Sequence, residues 1–130
     1  PGGGEGPHFS ARIEPEGDWS TAAPGQLTRT LKITNVGRAF WPAGLWYPYP
    51  KGSVTVGPYV SGPQGERAVE FSRTSLPRSL SPGEAVTVEL AIPLAQVEPG
   101  QTVTVDLVRE WIFWFAEAGS DPLVLSVPGR

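Results

Sequence analysis

The sequence predicts an all-β protein, an antiparallel β-sandwich of about seven to nine short strands in a single domain. Three observations predict it. Gly (16) and Pro (15) are abundant, and turn chemistry at that density leaves little room for long helices. A Pro-Gly dipeptide followed by a period-two run occurs three times, at Pro24-Gly25, Pro82-Gly83 and Pro99-Gly100. The 130 residues, 39% of them hydrophobic, have the size of one domain and can bury a core without disulfides or metals.

The three runs justify the central strands. After Pro82-Gly83, Val86, Val88, Leu90 and Ile92 share one face while Thr87 and Glu89 share the other. After Pro99-Gly100, Val103, Val105 and Leu107 oppose Thr102, Thr104 and Asp106. Such alternation belongs to antiparallel strands with one dry and one wet face, so Asp106 is expected in solvent. After Pro24-Gly25, Leu27, Leu31 and Ile33 align but Arg29 intrudes, which predicts a face covered only in part. The three runs are too unevenly spaced for a solenoid.

The remaining elements follow in chain order. Residues 1–8, opening with Pro1 and three glycines, read as a flexible linker or a cloning remnant, and the sandwich domain is assigned to 9–130. Residues 9–13 alternate as a first edge strand. Residues 15–25 read as loop, with Trp19 as a core-edge residue. Residues 53–60 and 67–71 are strands. Residues 107–115 form a long aromatic strand. Leu123, Leu125 and Val127 alternate as the last one, after a turn at 119–122. Residues 94–97 suit a single helical turn.

Several function classes drop out. There is no Cys and a single His, His8, which removes thiolate metal sites and any chemistry needing two imidazoles. The net charge is −3 with both signs interspersed, which argues against nucleic acid or an anionic membrane as partner. No apolar run approaches the roughly 20 residues of a spanning helix. No signal peptide is visible and the first residue is Pro, so an excised domain or processed product of a larger bacterial protein is expected. The compartment is left open, with a secreted or cell-envelope setting preferred. Abundant Pro without Cys or Met suits a thermostable source. Gly2-Gly3-Gly4 lacks a following helix or lysine, so it is no phosphate cradle. No Asp-x-Asp spacing suggests calcium, and neither metal nor cofactor is expected.

Three stretches carry a family resemblance. One runs from Leu31 through Asn35 and Gly37 to Trp41-Pro42-Ala43-Gly44. Another is Leu76-Pro77 through Ser81-Pro82-Gly83-Glu84. The last is Asp106 through Glu110, then Trp114-Phe115 and Gly119 to Leu123. Together they resemble the immunoglobulin-like accessory domain appended to bacterial glycosyltransferases, methyltransferases and other envelope- or glycan-related proteins. The Asn-x-Gly and Trp-Pro-x-Gly element is also similar to the four-tryptophan domain of autophagy receptors. The resemblance covers roughly residues 26–128, each motif being weak alone and specific in combination. It implies an immunoglobulin-like sandwich and an interaction or spacer role, with no reaction. Within the motif, Asn35 and Gly37 are expected to turn the chain at positive φ, and Trp41 to close the open end of the core. Pro82-Gly83-Glu84 sets a turn. The sequence departs from the family in an apparent insertion at Trp46-Tyr47-Pro48-Tyr49-Pro50, in Trp111 where relatives carry Gly, and in Phe113 where they carry a small residue.

These departures are all aromatic, and they supply the candidate site residues: Trp46, Tyr47, Tyr49, Trp111 and Phe113. Stiffened by Pro48 and Pro50, the loop would lose little entropy on stacking against a sugar face. The same rings would serve equally to cover the sandwich or to dock a neighbouring domain. Of Trp111, Phe113, Trp114 and Phe115, alternation sends two inward, and an outward pair would be an apolar patch suited to contact with another domain. Asp106, Glu110 and Glu117 are the acids available for a glycosidase-like pair. Asp106 is assigned to solvent and Glu110 to a structural ion pair with Arg109, so no catalytic residue is proposed and the chain is not expected to be an enzyme. The sequence thus points to a non-catalytic accessory module of a carbohydrate-active protein, with an adjacent domain as partner and polysaccharide as a candidate ligand. A pure spacer or protein-interaction domain is the alternative.

Overall fold

A computed structural model describes residues 8–128 of the chain, and the Gly-rich start read as linker lies, apart from His8, outside them. Among the described residues nine strands form: β1 (Ala11–Ser20), β2 (Gln26–Asn35), β3 (Val54–Ser61), β4 (Arg67–Glu70), β5 (Thr74–Ser75), β6 (Ala85–Pro93), β7 (Thr102–Arg109), β8 (Phe113–Trp114) and β9 (Leu123–Ser126). One sheet has the order β1-β2-β6. The other is centred on the β3–β7 pair, with β4 and β5 along the far edge of β3 and β8 and β9 along the far edge of β7. Every strand pairing is antiparallel. Order β1-β2-β6 facing β4-β3-β7-β9 is the A-B-E against C′-C-F-G arrangement of immunoglobulin-like sandwiches. The fold expected from the turns and alternation is therefore the fold observed. Among the described residues the only helical pieces are 3₁₀ turns at Leu94–Gln96, as expected, and at Phe115–Ala118.

Each Pro-Gly pair makes the same turn. Gly25, Gly83 and Gly100 have φ of 73°, 89° and 87°. In each, the residue after the glycine donates its N–H to the carbonyl three residues back: Gln26 to Ala23, Glu84 to Ser81 and Gln101 to Glu98, at 3.0–3.2 Å. Proline fixes φ at the second position and glycine alone tolerates positive φ at the third, the requirement of a type II turn.

Between the sheets lie Leu31 and Ile33 of β2, Val54 and Val56 of β3, Val86, Val88, Leu90 and Ile92 of β6, and Val103, Val105 and Leu107 of β7, all buried. Trp41 closes one end of this core. It is fully buried, bridges to Leu80 with N–H···O bonds in both directions and meets the Phe115 ring edge-on at 5.2 Å. Its Nε1 has no acceptor among the described residues. Trp19 sits at the other end of β2, partly buried against the core, with its Nε1 donating to the Ser126 carbonyl at 2.8 Å. Arg29 is half-buried as expected, its guanidinium 5.7 Å from the Trp19 ring centre and its Nε donating to the Gly17 carbonyl.

Four expectations are corrected. Asp106 is buried, not solvated, because both faces of β7 are covered. Trp114 folds back over the outer face, where Tyr59, Val108 and Trp114 form a second small cluster. Gly57, paired with Asp106 across the ladder, leaves the space: a Cβ there would lie 2.7 Å from the Trp114 ring. Second, much of residues 15–25 is strand, since β1 runs to Ser20. Pro15 is tolerated because β1 is an edge strand, and a register shift between Glu16 and Ser20, with Gly17 at φ 68°, bends it. Third, residues 107–115 are no single strand. The chain reverses at Glu110–Ile112 so that Trp114 pairs with Val108. Finally, Asn35 and Gly37 do not adopt positive φ. Buried Asn35 works through its side chain, donating to the carbonyls of Ala39 and Leu80 and accepting from Gly37 N–H. Gly37 is needed for close approach, because a Cβ would meet Ser10 N at 2.7 Å. The carbonyl of His8 accepts from Arg38 and Ala39 N–H, both at 2.9 Å, which fastens that residue to the sandwich.

Candidate functional site

The two aromatic segments singled out from the sequence meet at one end of the sandwich. Backbone bonds tie them: Gly52 N–H donates to the Glu110 carbonyl at 2.9 Å and Glu110 N–H to the Ser53 carbonyl at 2.8 Å. Trp111 Nε1 adds a bond to the Tyr49 carbonyl at 3.3 Å. The 44–52 loop folds onto itself around Tyr49. Gly44 permits this, since a Cβ would lie 2.7 Å from Ser53 Oγ and 2.9 Å from the Tyr49 ring. Tyr49 is half-buried and accepts from Ser75 Oγ at 3.3 Å. Tyr47 meets it edge-on at 6.0 Å, the Tyr47–Pro48 peptide being cis.

Beside the two tyrosines is a cleft of 410 Å³ lined by Tyr47, Tyr49, Phe71, Ser72, Arg73 and Glu110. Its polar wall is fixed. Arg73 Nε donates to Glu110 Oε2 at 3.0 Å, Thr55 Oγ1 donates to the same oxygen, and Arg73 Nη1 reaches Glu70 Oε1 at 3.3 Å. The Arg73 guanidinium also lies 4.7 Å from the Trp114 ring centre. A guanidinium held by a carboxylate and an aromatic face keeps little rotamer freedom, which pre-organises its remaining donors. The ion pair expected between Arg109 and Glu110 is thus replaced by Arg73–Glu110. Neighbours on a strand point to opposite faces, and Arg109 lies instead over Phe9, 4.6 Å from the ring centre, and near Phe113.

The other candidates separate. Trp46 is 80% exposed and Tyr47 86%, but Trp46 borders a neighbouring groove with Leu45, Ser75, Leu76 and Glu89. Trp111 is 78% exposed, beside exposed Ile112. Its φ of 70° is a backbone region that suits glycine and strains a bulky residue. Phe113 is half-buried, edge-on to Phe9 at 5.5 Å. Phe115 is in the core and Trp114 roofs the outer sheet face, so of the expected outward pair only Trp111 is open to solvent.

The three candidate acids, Asp106, Glu110 and Glu117, are engaged. Burial pushes the Asp106 carboxyl above its ordinary range, opposed by the N–H groups of Ala116 and Leu107, which it accepts at 2.9 and 2.8 Å. Burial likewise raises the Tyr59 hydroxyl, with Asp106 adding to the effect. Glu117 accepts from Trp114 N–H and lies 3.6 Å from Arg67. Among the described residues no group of three or more His, Asp or Glu could hold a metal. Sequence reasoning missed Phe71 and Arg73. Arg73 carries no local signal, because its partner Glu110 is 37 residues away.

No family model matches the chain and no curated protein matches it. Among solved structures it is similar to parts of β-glucosidases. One, from Kluyveromyces marxianus in complex with glucose, shows 14% identity over 92% of this chain and 14% of that one, with a TM-score of 0.43. β-Glucosidase 3B from Thermotoga neapolitana in complex with glucose shows 19% identity over 93% and 16%, TM-score 0.43. The Listeria innocua enzyme in complex with glucose shows 14% over 95% and 16%, TM-score 0.42. The chain thus spans less than a fifth of each enzyme, and a likeness this distant carries no chemistry across.

Proposed function

We propose that this domain is a non-catalytic accessory module of a larger carbohydrate-active protein, and that it binds glycan in the cleft beside Tyr47 and Tyr49. The observation that carries the reading is the composition of that cleft. Two tyrosine rings offer flat apolar faces, buried Phe71 adds apolar lining, and a fixed Arg73–Glu110 pair offers hydrogen bonds beside them. Sugars present apolar C–H faces ringed by hydroxyls, and sites for such ligands combine aromatic walls with a few placed polar groups. The non-catalytic assignment is supported by the acids: Asp106 is covered, while Glu110 and Glu117 each face an arginine, so neither is poised as a general acid.

The test is retention on immobilised polysaccharides. Tyr47 is exposed, so Tyr47→Ala should leave the melting temperature unchanged and weaken retention about tenfold, the effect of a hot-spot ring. Equal retention by variant and parent across polymers that bind the parent would remove the cleft from the reading. A second reading, docking of an adjacent domain, is favoured by Trp111, whose strained backbone supports an exposed ring next to Ile112.

A further inference from the structure

We infer that the cleft selects neutral, hydroxyl-rich sugars and rejects uronic-acid sugars. The inference rests on the glycan reading and deepens it, and three features of the polar wall carry it. Arg73 is the one cationic residue lining the cleft, and it is shared by two carboxylates, Glu110 and Glu70. This trio therefore carries a surplus negative charge. Among the described residues no other cation lines the cleft: Arg67 faces Glu117, and Arg109 points to the opposite face of its strand, over Phe9. Next, Glu110 Oε2 takes both the Arg73 and Thr55 bonds, and no described residue donates to Oε1. That leaves an acceptor directed by a fixed side chain. Third, Arg73 uses only Nε and Nη1, so it keeps donors beside that acceptor.

A hydroxyl both donates and accepts, so one sugar hydroxyl, or two on adjacent carbons, satisfies both halves of this wall. A carboxylate only accepts. Meeting Arg73, it would compete with Glu110 and Glu70 for the same guanidinium and stand beside their like charges. At physiological salt, screening acts over roughly 8 Å, so a charge seated in the cleft would still feel part of that repulsion.

Affinity electrophoresis of the chain in gels containing β-glucan, arabinoxylan or galactan, against gels containing polygalacturonate or alginate, tests this. Expected is retardation by at least one neutral polymer, with both uronates at least about tenfold weaker. Glu110→Gln should weaken the neutral binding and narrow the gap. Glu70→Gln lies outside the cleft lining and serves if the first variant fails to fold. It should narrow the gap by strengthening uronate binding, and an unchanged gap would overturn the charge argument. Uronate binding as tight as neutral binding overturns the selectivity while leaving the glycan reading standing. No retardation by any of the five polymers, with the chain folded, overturns the glycan reading and the selectivity with it.

Discussion

The outer faces of the two sheets differ. On the three-stranded sheet, Arg12, Glu14, Lys32, Thr87 and Glu89 stand in solvent, and of the outward residues only Thr28 is buried. On the other sheet, Trp114 lies over Gly57 and beside Tyr59, Arg67 stacks on it 4.4 Å from the ring centre, and Asp106 is sealed beneath. Both sheets read alike as alternating strands. The difference comes from the chain between them: after β7 it reverses sharply and returns a tryptophan to the outer face, whereas among the described residues no buried ring roofs the outer face of β2 and β6. Covering that face also builds the candidate site, because Arg73 is held between Trp114 and Glu110 at the cleft wall.

The largest effect is expected where the sheets share one interior. Trp41→Ala should cost about 3–5 kcal/mol, as for other fully buried aromatics, measured by urea denaturation. A loss below about 1 kcal/mol would mean that the core end closes without it. Next comes the roof itself. Gly57→Ala places a Cβ 2.7 Å from the Trp114 ring and 2.8 Å from Val108 Cγ2, and overpacking of this kind should cost about 1–3 kcal/mol. The matching change on the open face, Thr87→Ala, should stay within about 0.5 kcal/mol. Equal losses at the two positions would erase the distinction between the faces.

The smallest effect concerns Asp106. Because burial raises its folded-state carboxyl above the ordinary value of 3.8, the folded domain binds this proton more tightly than the unfolded chain does. The contribution is fully present below 3.8 and is lost as pH rises through the elevated folded value. Asp106→Asn removes the charge but sets an NH2 donor against one of the two N–H groups that the carboxyl accepts, so the variant should be less stable than the parent, with the larger deficit in acid and the smaller near neutrality. A deficit that grows toward neutral pH would show that the charged oxygens' bonds to Ala116 and Leu107 N–H outweigh desolvation.

The interior was legible because period two and the Pro-Gly turns are local. Val86 to Ile92 and Val103 to Leu107 face inward as their spacing requires, and the three glycines turn the chain as predicted. Asp106 was misread because its roof comes from Trp114, and no residue next to Asp106 records that a tryptophan will fold back. The long strand expected at residues 107–115 failed for the same reason: the reversal at Trp111 uses a positive φ that a tryptophan does not advertise. Asn35 and Gly37 were recognised as a turn but given the wrong device, a buried side-chain amide having replaced positive φ. At the cleft, Tyr47 and Tyr49 were visible as an aromatic cluster, whereas Arg73 and Phe71 depend on how β4 and β5 meet the loop.

The bent edge strand β1 has a bearing on how the domain behaves in a crowd. The outward N–H and C=O groups of such an edge would ordinarily offer a template on which a second copy could add its own strand. Here Pro15 lacks a donor, the bend at Gly17 breaks the straight run, and exposed Glu14, Glu16 and Asp18 would confront their own counterparts across any such junction. This edge thereby carries three separate guards against the addition of a second copy's strand.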